Sequence, residues 1–148
     1  MQIELLPVTK DDAEELVILR IAVMRSSLER LGRFDAGRAR ERFLSSFSSE
    51  HTRHIAQDGM RVGFVTIRPI GEGFLLDHLY IHPEHQSLGI GTSVLLQIFI
   101  EADGQGRGIR VGALKGSDSN RFYARHGFEL VEEAEWDNYY VRQPKHAV

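Results

Sequence analysis

The spacing of apolar residues in the first part of the chain predicts a strand followed by two helices. An imperfect alternation of apolar and polar side chains over residues 3–8 predicts the strand. Apolar residues then recur at intervals of three or four over residues 13–24, which predicts a mostly buried helix with Thr9 as its cap. A second, shorter amphipathic stretch follows Gly32.

Three strands are predicted next. Residues 53–57 and 62–67 are rich in apolar side chains, and the Asp58-Gly59 pair between them is a strong signal for a hairpin. Residues 74–81 form a longer apolar run, which is typical of a central strand.

The rest of the chain predicts alternating helices and strands. A helix is expected over residues 91–102, a strand over 109–113, a short helix over 117–126, and a closing hairpin from 128–131 and 136–142. The order predicts an α/β fold in which a mixed, mostly antiparallel central sheet has helices on both faces. The strand over residues 74–81, the helix over 91–102 and the strand over 109–113 would form a right-handed parallel unit.

Composition narrows the class of protein. The 148 residues suit a single domain over residues 1–148, and a net charge of −3 without a long basic run argues against nucleic acid as a partner. The absence of cysteine excludes disulfides, thiol nucleophiles and zinc sites built from cysteine. No signal peptide or membrane-spanning run is evident, so we expect a cytoplasmic protein that does not bind a membrane.

The segment with the clearest chemistry is residues 81–92, which leads from a predicted strand into a predicted helix. Its glycines, Gly89 and Gly91, leave room for a ligand to approach the backbone. The first N–H groups of a helix have no internal partner, and the helix dipole adds positive potential there. The segment therefore suits a pyrophosphate group.

Two motifs identify a family that this chain resembles. The loop Gln86-Ser87-Leu88-Gly89-Ile90-Gly91 matches the pattern (Arg/Gln)-x-x-Gly-x-(Gly/Ala), and residues 121–128 match x-Phe-Tyr-x-x-x-Gly-Phe. With these motifs and its order of elements, the chain resembles the GNAT superfamily, the Gcn5-related N-acetyltransferases. The resemblance covers nearly the whole chain in element order and is specific at the two motifs.

The resemblance implies acetyl-CoA as cosubstrate, without a metal. The main chain at the end of the central strand would bind the pantetheine arm, and the N–H groups of the loop would hold the pyrophosphate, helped by a hydroxyl of Thr92 or Ser93. The residues expected to bind the cosubstrate are Leu79, Tyr80, Ile81, Gln86, Ser87, Leu88, Gly89, Ile90, Gly91, Thr92, Asn120 and Tyr123.

The resemblance also implies catalytic roles. Tyr123 would protonate the departing CoA thiolate as general acid, although a buried aromatic with a hydrogen-bonded hydroxyl is the structural alternative. Asp77 is the first candidate for general base or amine anchor, because a polar side chain in a central strand needs an explanation. His78 has the more suitable ordinary pKa, but strand alternation points it to the other face. Either residue could instead be a buried polar group satisfied by its neighbours.

One position departs from the family. Many members have an Asn seven residues before the Tyr, where it bonds the pantetheine, and this chain has Gly116 there. Asn120, Ser117, Ser119 or a backbone group could replace it.

A metal site is the rival interpretation of three nearby histidines, His78, His82 and His85. Pro83 interrupts any helical spacing among them, and no second carboxylate-rich segment accompanies them. We therefore expect no metal.

The sequence indicates the chemical class of the acceptor less clearly than it indicates the cosubstrate. The first predicted helices and the loop between them carry Arg25, Arg30, Arg33, Phe34 and Arg38, and the closing hairpin carries Glu132, Glu133, Glu135, Trp136, Asp137 and Tyr139. An acidic hairpin would suit a cationic amine, inward arginines would suit an acceptor that also bears a carboxylate or phosphate, and both sets could be solvated surface.

The expected reaction is direct attack of a deprotonated primary amine on the thioester of acetyl-CoA in a ternary complex. A small-molecule amine is favoured over a protein acceptor. Two alternatives stay open: a non-catalytic acyl-CoA-binding or sensor domain, and a protein acetyltransferase acting on a lysine or N-terminal amine. A homodimer is compatible with the family, but the chain carries no firm signal for one.

Overall fold

The computed structural model describes residues 2–32 and 34–145. Its strands are β1 (Ile3–Pro7), β2 (Thr52–Gln57), β3 (Met60–Ile70), β4 (Gly73–Ile81), β5 (Ile109–Leu114), β6 (Glu129–Glu133) and β7 (Asp137–Arg142). Its helices are α1 (Ala13–Arg30), α2 (Ala36–Ser46), α3 (Ile90–Gly104) and α4 (Ser119–Arg125).

The strands form one sheet in the order β1-β2-β3-β4-β5-β7-β6. β4 pairs with β5 in parallel, whereas β1 with β2, β2 with β3, β5 with β7 and β6 with β7 are antiparallel pairs. The parallel pair is joined through α3, as expected for a crossover connection. The predicted fold class, α/β with a mixed and mostly antiparallel sheet, is confirmed.

Contacts within the chain cluster into two compact units. The first is built from residues up to Thr66 together with His78–Gly91, and the second from Ile67–Asp77 together with residues from Thr92 onward. The expected single domain over residues 1–148 stays a prediction. Across the described ranges, every helix is too short or too polar to cross a bilayer.

The core of the first unit is apolar side chains of α1, α2 and β3. Leu16 and Val17 of α1 are buried with Phe43 of α2 and Phe64 of β3, whose rings meet edge to face at 5.8 Å. Burying such side chains is the main source of stability for both helices. The N–H of Thr9, a predicted cap, donates to the Asp12 carboxylate at 2.9 Å.

The predicted hairpin between β2 and β3 is confirmed. Asp58 and Gly59 have φ of 49° and 87°, the left-handed conformation that a two-residue turn of this kind requires. β3 itself runs on to Ile70, beyond the expected end at residue 67, because the fixed φ of Pro69 is compatible with extended backbone.

In the second unit, α3 buries the predicted stripe, which comprises Val94, Leu95, Ile98, Phe99 and Ala102. The helix starts at Ile90 and ends at Gly104, slightly longer than predicted. α4 begins at Ser119 rather than at Ser117, because the Ser117 hydroxyl donates to the Leu114 carbonyl at 2.8 Å and forms a turn before the helix. Gly127 ends α4 with φ of 88°, as predicted.

Candidate functional site

The loop between β4 and α3 is anchored at the end of β4. The His82 N–H donates to the Val62 carbonyl at 2.7 Å, which ties the residue after β4 to β3. The Gln86 side-chain amide folds back and donates to the Ile81 carbonyl at 2.9 Å. Gln86 therefore fixes the start of the loop relative to the strand that precedes it.

The loop presents its backbone to solvent in a conformation that suits an anion. Ser87 and Gly89 have φ of 65° and 83°, and a Cβ atom on Gly89 would meet no atom within 4 Å. In the part of the chain that the structure describes, the N–H groups of Ser87, Leu88 and Gly89 donate no hydrogen bond. Alternating left-handed residues at the start of a long helix leave consecutive N–H groups available, so the loop fits a pyrophosphate.

Thr92, in the first turn of α3, forms a pair that the sequence did not reveal. Its hydroxyl oxygen lies 3.0 Å from Nε2 of His126, and Nδ1 of His126 lies 2.7 Å from the Phe122 carbonyl oxygen. Because a carbonyl only accepts, Nδ1 carries a proton, and in the neutral ring Nε2 accepts from the Thr92 hydroxyl. His126 belongs to the second motif, but the histidine at that position gave no signal that it would meet Thr92.

Tyr123 lies buried in an aromatic cluster of the second unit. Its ring centroid is 5.4 Å from that of Phe122, 5.3 Å from Phe128 and 6.5 Å from Tyr140. This packing fixes the direction of the side chain. The role of Tyr123 as general acid stays a prediction.

Both the nitrogen and the oxygen of the Asn120 side-chain amide make hydrogen bonds within the protein. Its Nδ2 donates to the carbonyls of Leu114 and Ser117 at 2.8 and 2.9 Å. Its Oδ1 accepts from the Tyr140 hydroxyl at 2.8 Å and from Asn138 at 3.0 Å. These contacts engage both the donors and the acceptor oxygen of the amide. The expected contact of Asn120 with the cosubstrate stays a prediction.

The two polar residues of β4 have different partners. Oδ2 of Asp77, which is half-buried, accepts from Nε of Arg68 at 2.9 Å. His78 packs its ring against Phe43 at 5.3 Å and Tyr80 at 5.6 Å. The contact with Arg68 compensates part of the cost of removing the Asp77 carboxylate from water. His78 belongs to an aromatic cluster of the first unit.

The loop histidines lie close to one another. The ring centroids of His82 and His85 are 6.1 Å apart. Among residues 2–32 and 34–145, no group of three or more His, Asp and Glu side chains is placed to hold a metal ion.

The charged residues considered for the acceptor are partly paired. Arg25 donates to Glu29 at 2.8 Å and lies over the Phe34 ring at 5.0 Å. In the closing hairpin, Glu132 accepts from Arg110 at 3.3 Å. Arg33 lies outside the described residues.

The comparison with family models identifies the class of protein. Residues 49–130 match the acetyltransferase (GNAT) domain. The match covers more than half of the chain, which therefore belongs to the GNAT acetyltransferase family. No curated protein sequence matches the chain.

Solved structures share the fold. The chain is similar to the PaiA N-acetyltransferase of Thermoplasma acidophilum in complex with coenzyme A, with a TM-score of 0.77, 19% identity and coverage of 97% of this chain and 99% of that one. An acetyltransferase of Thermus thermophilus gives a TM-score of 0.74 at 20% identity, covering 97% of each chain. A GNAT acetyltransferase of Bacillus cereus gives 0.71 at 14% identity, covering 98% of this chain and 99% of that one.

Proposed function

We propose that this protein is a single-domain N-acetyltransferase that moves an acetyl group from acetyl-CoA to a primary amine. The observation that carries the proposal is the loop of residues 86–91, where the available N–H groups of residues 87–89 and the open Gly89 suit a pyrophosphate in a chain of the GNAT family. The solved relative that contains coenzyme A supports the choice of cosubstrate.

Main-chain groups are the proposed ligands of the pyrophosphate. The N–H groups from Ser87 to Thr92 would donate to its oxygens, whereas Gln86 would act by holding the loop against Ile81. While His126 is neutral, the Thr92 hydroxyl proton is directed to its ring, so that hydroxyl is not a donor to phosphate. Ser93 remains the candidate for a helping hydroxyl.

The proposed pantetheine contacts come from the main chain of Leu79, Tyr80 and Ile81. Asn120 would contribute indirectly, because its amide joins the turn before α4 to β7. Gly116, at the position where many family members have Asn, lies in the same turn and has φ of 81°.

The proposed reaction is one displacement at the thioester. The amine nitrogen forms a bond to the acetyl carbon, the carbon–sulfur bond breaks, and the leaving thiolate takes a proton from the Tyr123 hydroxyl. The proton that the nitrogen loses on becoming an amide returns to Tyr123 through solvent. Main-chain N–H groups at the end of β4 would polarise the thioester carbonyl. Asp77, whose carboxylate accepts from Arg68, would anchor the ammonium or accept its proton through a water.

The proposed acceptor is a small amine, and the protein would work without nucleic acid, membrane or metal. Its cytoplasmic location and a homodimer stay predictions.

Release of CoA thiol in the presence of an amine tests the proposal. The chain has no cysteine, so a thiol reagent reports only the product. Tyr123→Phe should lower kcat by about 10²- to 10⁴-fold, the usual contribution of a general acid, and leave the affinity for CoA nearly unchanged. Ser45→Ala, which removes an exposed hydroxyl from α2, is the control and should keep wild-type kcat. Equal kcat in wild type and Tyr123→Phe would remove the acid role.

A further inference from the structure

A groove between α1 and α2 has an unusual concentration of positive charge. It has a volume of about 350 Å³ and is lined by Arg20, Arg38 and Arg42, with Asp35 as the acidic residue among its lining. Leu28 and Phe34 contribute apolar wall. A groove of this size accommodates a small organic molecule rather than a single ion.

The arginines of the groove have no carboxylate partner among the described residues. Oδ1 of Asp35 accepts from the backbone N–H of Arg38, as the cap of α2, rather than from a guanidinium. Neighbouring arginines on the same helices are paired: Arg40 with Glu14, and Arg25 with Glu29. With three guanidiniums and one carboxylate in its lining, the groove keeps a net positive charge.

Arg20 is the most constrained of the three. Its side chain is half-buried, and its Nε is fully buried without a hydrogen-bond acceptor in the described part of the chain. A buried donor of a charged group is unfavourable unless an acceptor meets it, and a guanidinium is suited to two oxygens of one carboxylate or phosphate. Because this Nε is inaccessible, an anion in the groove would meet the outer nitrogens of the guanidinium that lines it.

Arg20 also links the groove to the end of β4. Its guanidinium carbon lies 5.9 Å from the centroid of the Tyr80 ring, within the range of a cation–π contact. Tyr80 is one of the β4 residues to which we assign the pantetheine arm. A molecule whose anionic end contacts Arg20 would thus have its other end near that strand.

We propose that the groove binds an anionic group, a carboxylate or a phosphate, carried by the amine that accepts the acetyl group. The proposal rests on the proposed function and narrows it, because the acceptor would be an amino acid or an amino phosphate rather than a polyamine. Its apolar wall favours a carboxylate-bearing amine with an apolar side chain.

The test compares amines that differ only in the anionic group. The probes are L-phenylalanine with L-phenylalaninamide, and O-phosphoethanolamine with ethanolamine. Equilibrium titration measures binding, and thiol release measures kcat/KM. The variants are Arg20→Gln and Arg38→Gln, and Arg40→Gln is the matched control, since it removes the same charge from α2 outside the groove. Comparing each variant with wild type for each probe cancels the different basicities of the amines.

We expect Arg20→Gln to weaken binding of the probes that carry a carboxylate or phosphate about 10- to 100-fold, the value of a charged hydrogen bond. Binding of the partners that lack this group should change by less than about threefold. Arg38→Gln should have a smaller effect in the same direction, and Arg40→Gln none. Loss confined to one pair identifies the anion as carboxylate or phosphate.

Two results would overturn the proposal: an Arg20→Gln effect that is the same for probes with and without the anionic group, or equal effects of Arg20→Gln and Arg40→Gln. If no amine is acetylated, the proposed function fails, and the titration still decides whether the groove binds an anion.

Discussion

The close approach of β3 to the end of β4 makes Gly63→Ala a sharp test of the proposed acyl site. A Cβ on Gly63 would lie 2.2 Å from the Tyr80 carbonyl oxygen and 3.1 Å from Cα of Ile81. Since a carbon and an oxygen need more than about 3 Å, the backbone at Tyr80–Ile81 must move by about 1 Å, a displacement that can cost about 10²-fold in rate where it misplaces reacting groups. We expect kcat/KM for acetyl-CoA to fall by that order.

The same substitution should lower the free energy of unfolding by about 1–3 kcal/mol, as overpacking does. Urea unfolding measures this loss, and circular dichroism shows whether the variant is folded under assay conditions. Gly104→Ala, at the end of α3 with no atom within 4 Å of its Cβ, is the control and should keep both stability and rate. Wild-type kcat/KM in folded Gly63→Ala would refute the assignment of the acyl group to this end of β4.

Three further predictions concern the loop, the strand and stability. Gly89→Val should raise the Kd for CoA, measured by titration, about tenfold, because a β-branched residue at φ of 83° costs about 1–2 kcal/mol. Gly106→Val is the control: it introduces a β-branched residue at a similar φ of 66° outside the loop and should bind CoA as wild type does. Asp77→Asn should lower kcat at neutral pH and recover as rising pH deprotonates free amine; a pH–rate profile parallel to that of wild type would exclude Asp77 as base. Arg142 and then the Lys145 N–H lower the pKa of Asp103 to about 2. That shift from 3.8 contributes about 2 kcal/mol to the free energy of unfolding. The contribution is present above about pH 4–5 and is lost as pH falls through the folded-state pKa. Asp103→Asn should therefore be less stable than wild type at about pH 7, and its stability measured by urea unfolding should fall less steeply in acid. Unchanged acid dependence would contradict this assignment.

Local signals explain which features the sequence predicts well. The Asp58-Gly59 turn and the buried stripe of α3 depend on neighbouring residues, so turn chemistry and helical periodicity are sufficient to find them. Glycines at the strand–helix junction of residues 86–91 predict an anion site on similarly local grounds, and that role stays a prediction.

Tertiary contacts explain what the sequence did not predict. Asn120 meets Tyr140, and Thr92 meets His126, across separations of 20 and 34 residues, and no local pattern encodes either pair. Arg20 lies among the apolar residues of α1 and becomes part of a groove only when α2 packs beside that helix. Side chains that join distant segments thus define the internal contacts of Asn120 and form the arginine groove.

Calorimetric titration of the protein with acetyl-CoA and free CoA, in EDTA, tests the central claim most directly. The proposed function predicts micromolar binding of both in the absence of metal, weakened in Gly89→Val and unchanged in Gly106→Val. Absence of binding to either ligand by the folded wild-type protein would contradict the assignment of the loop to the pyrophosphate and, with it, the acetyltransferase function.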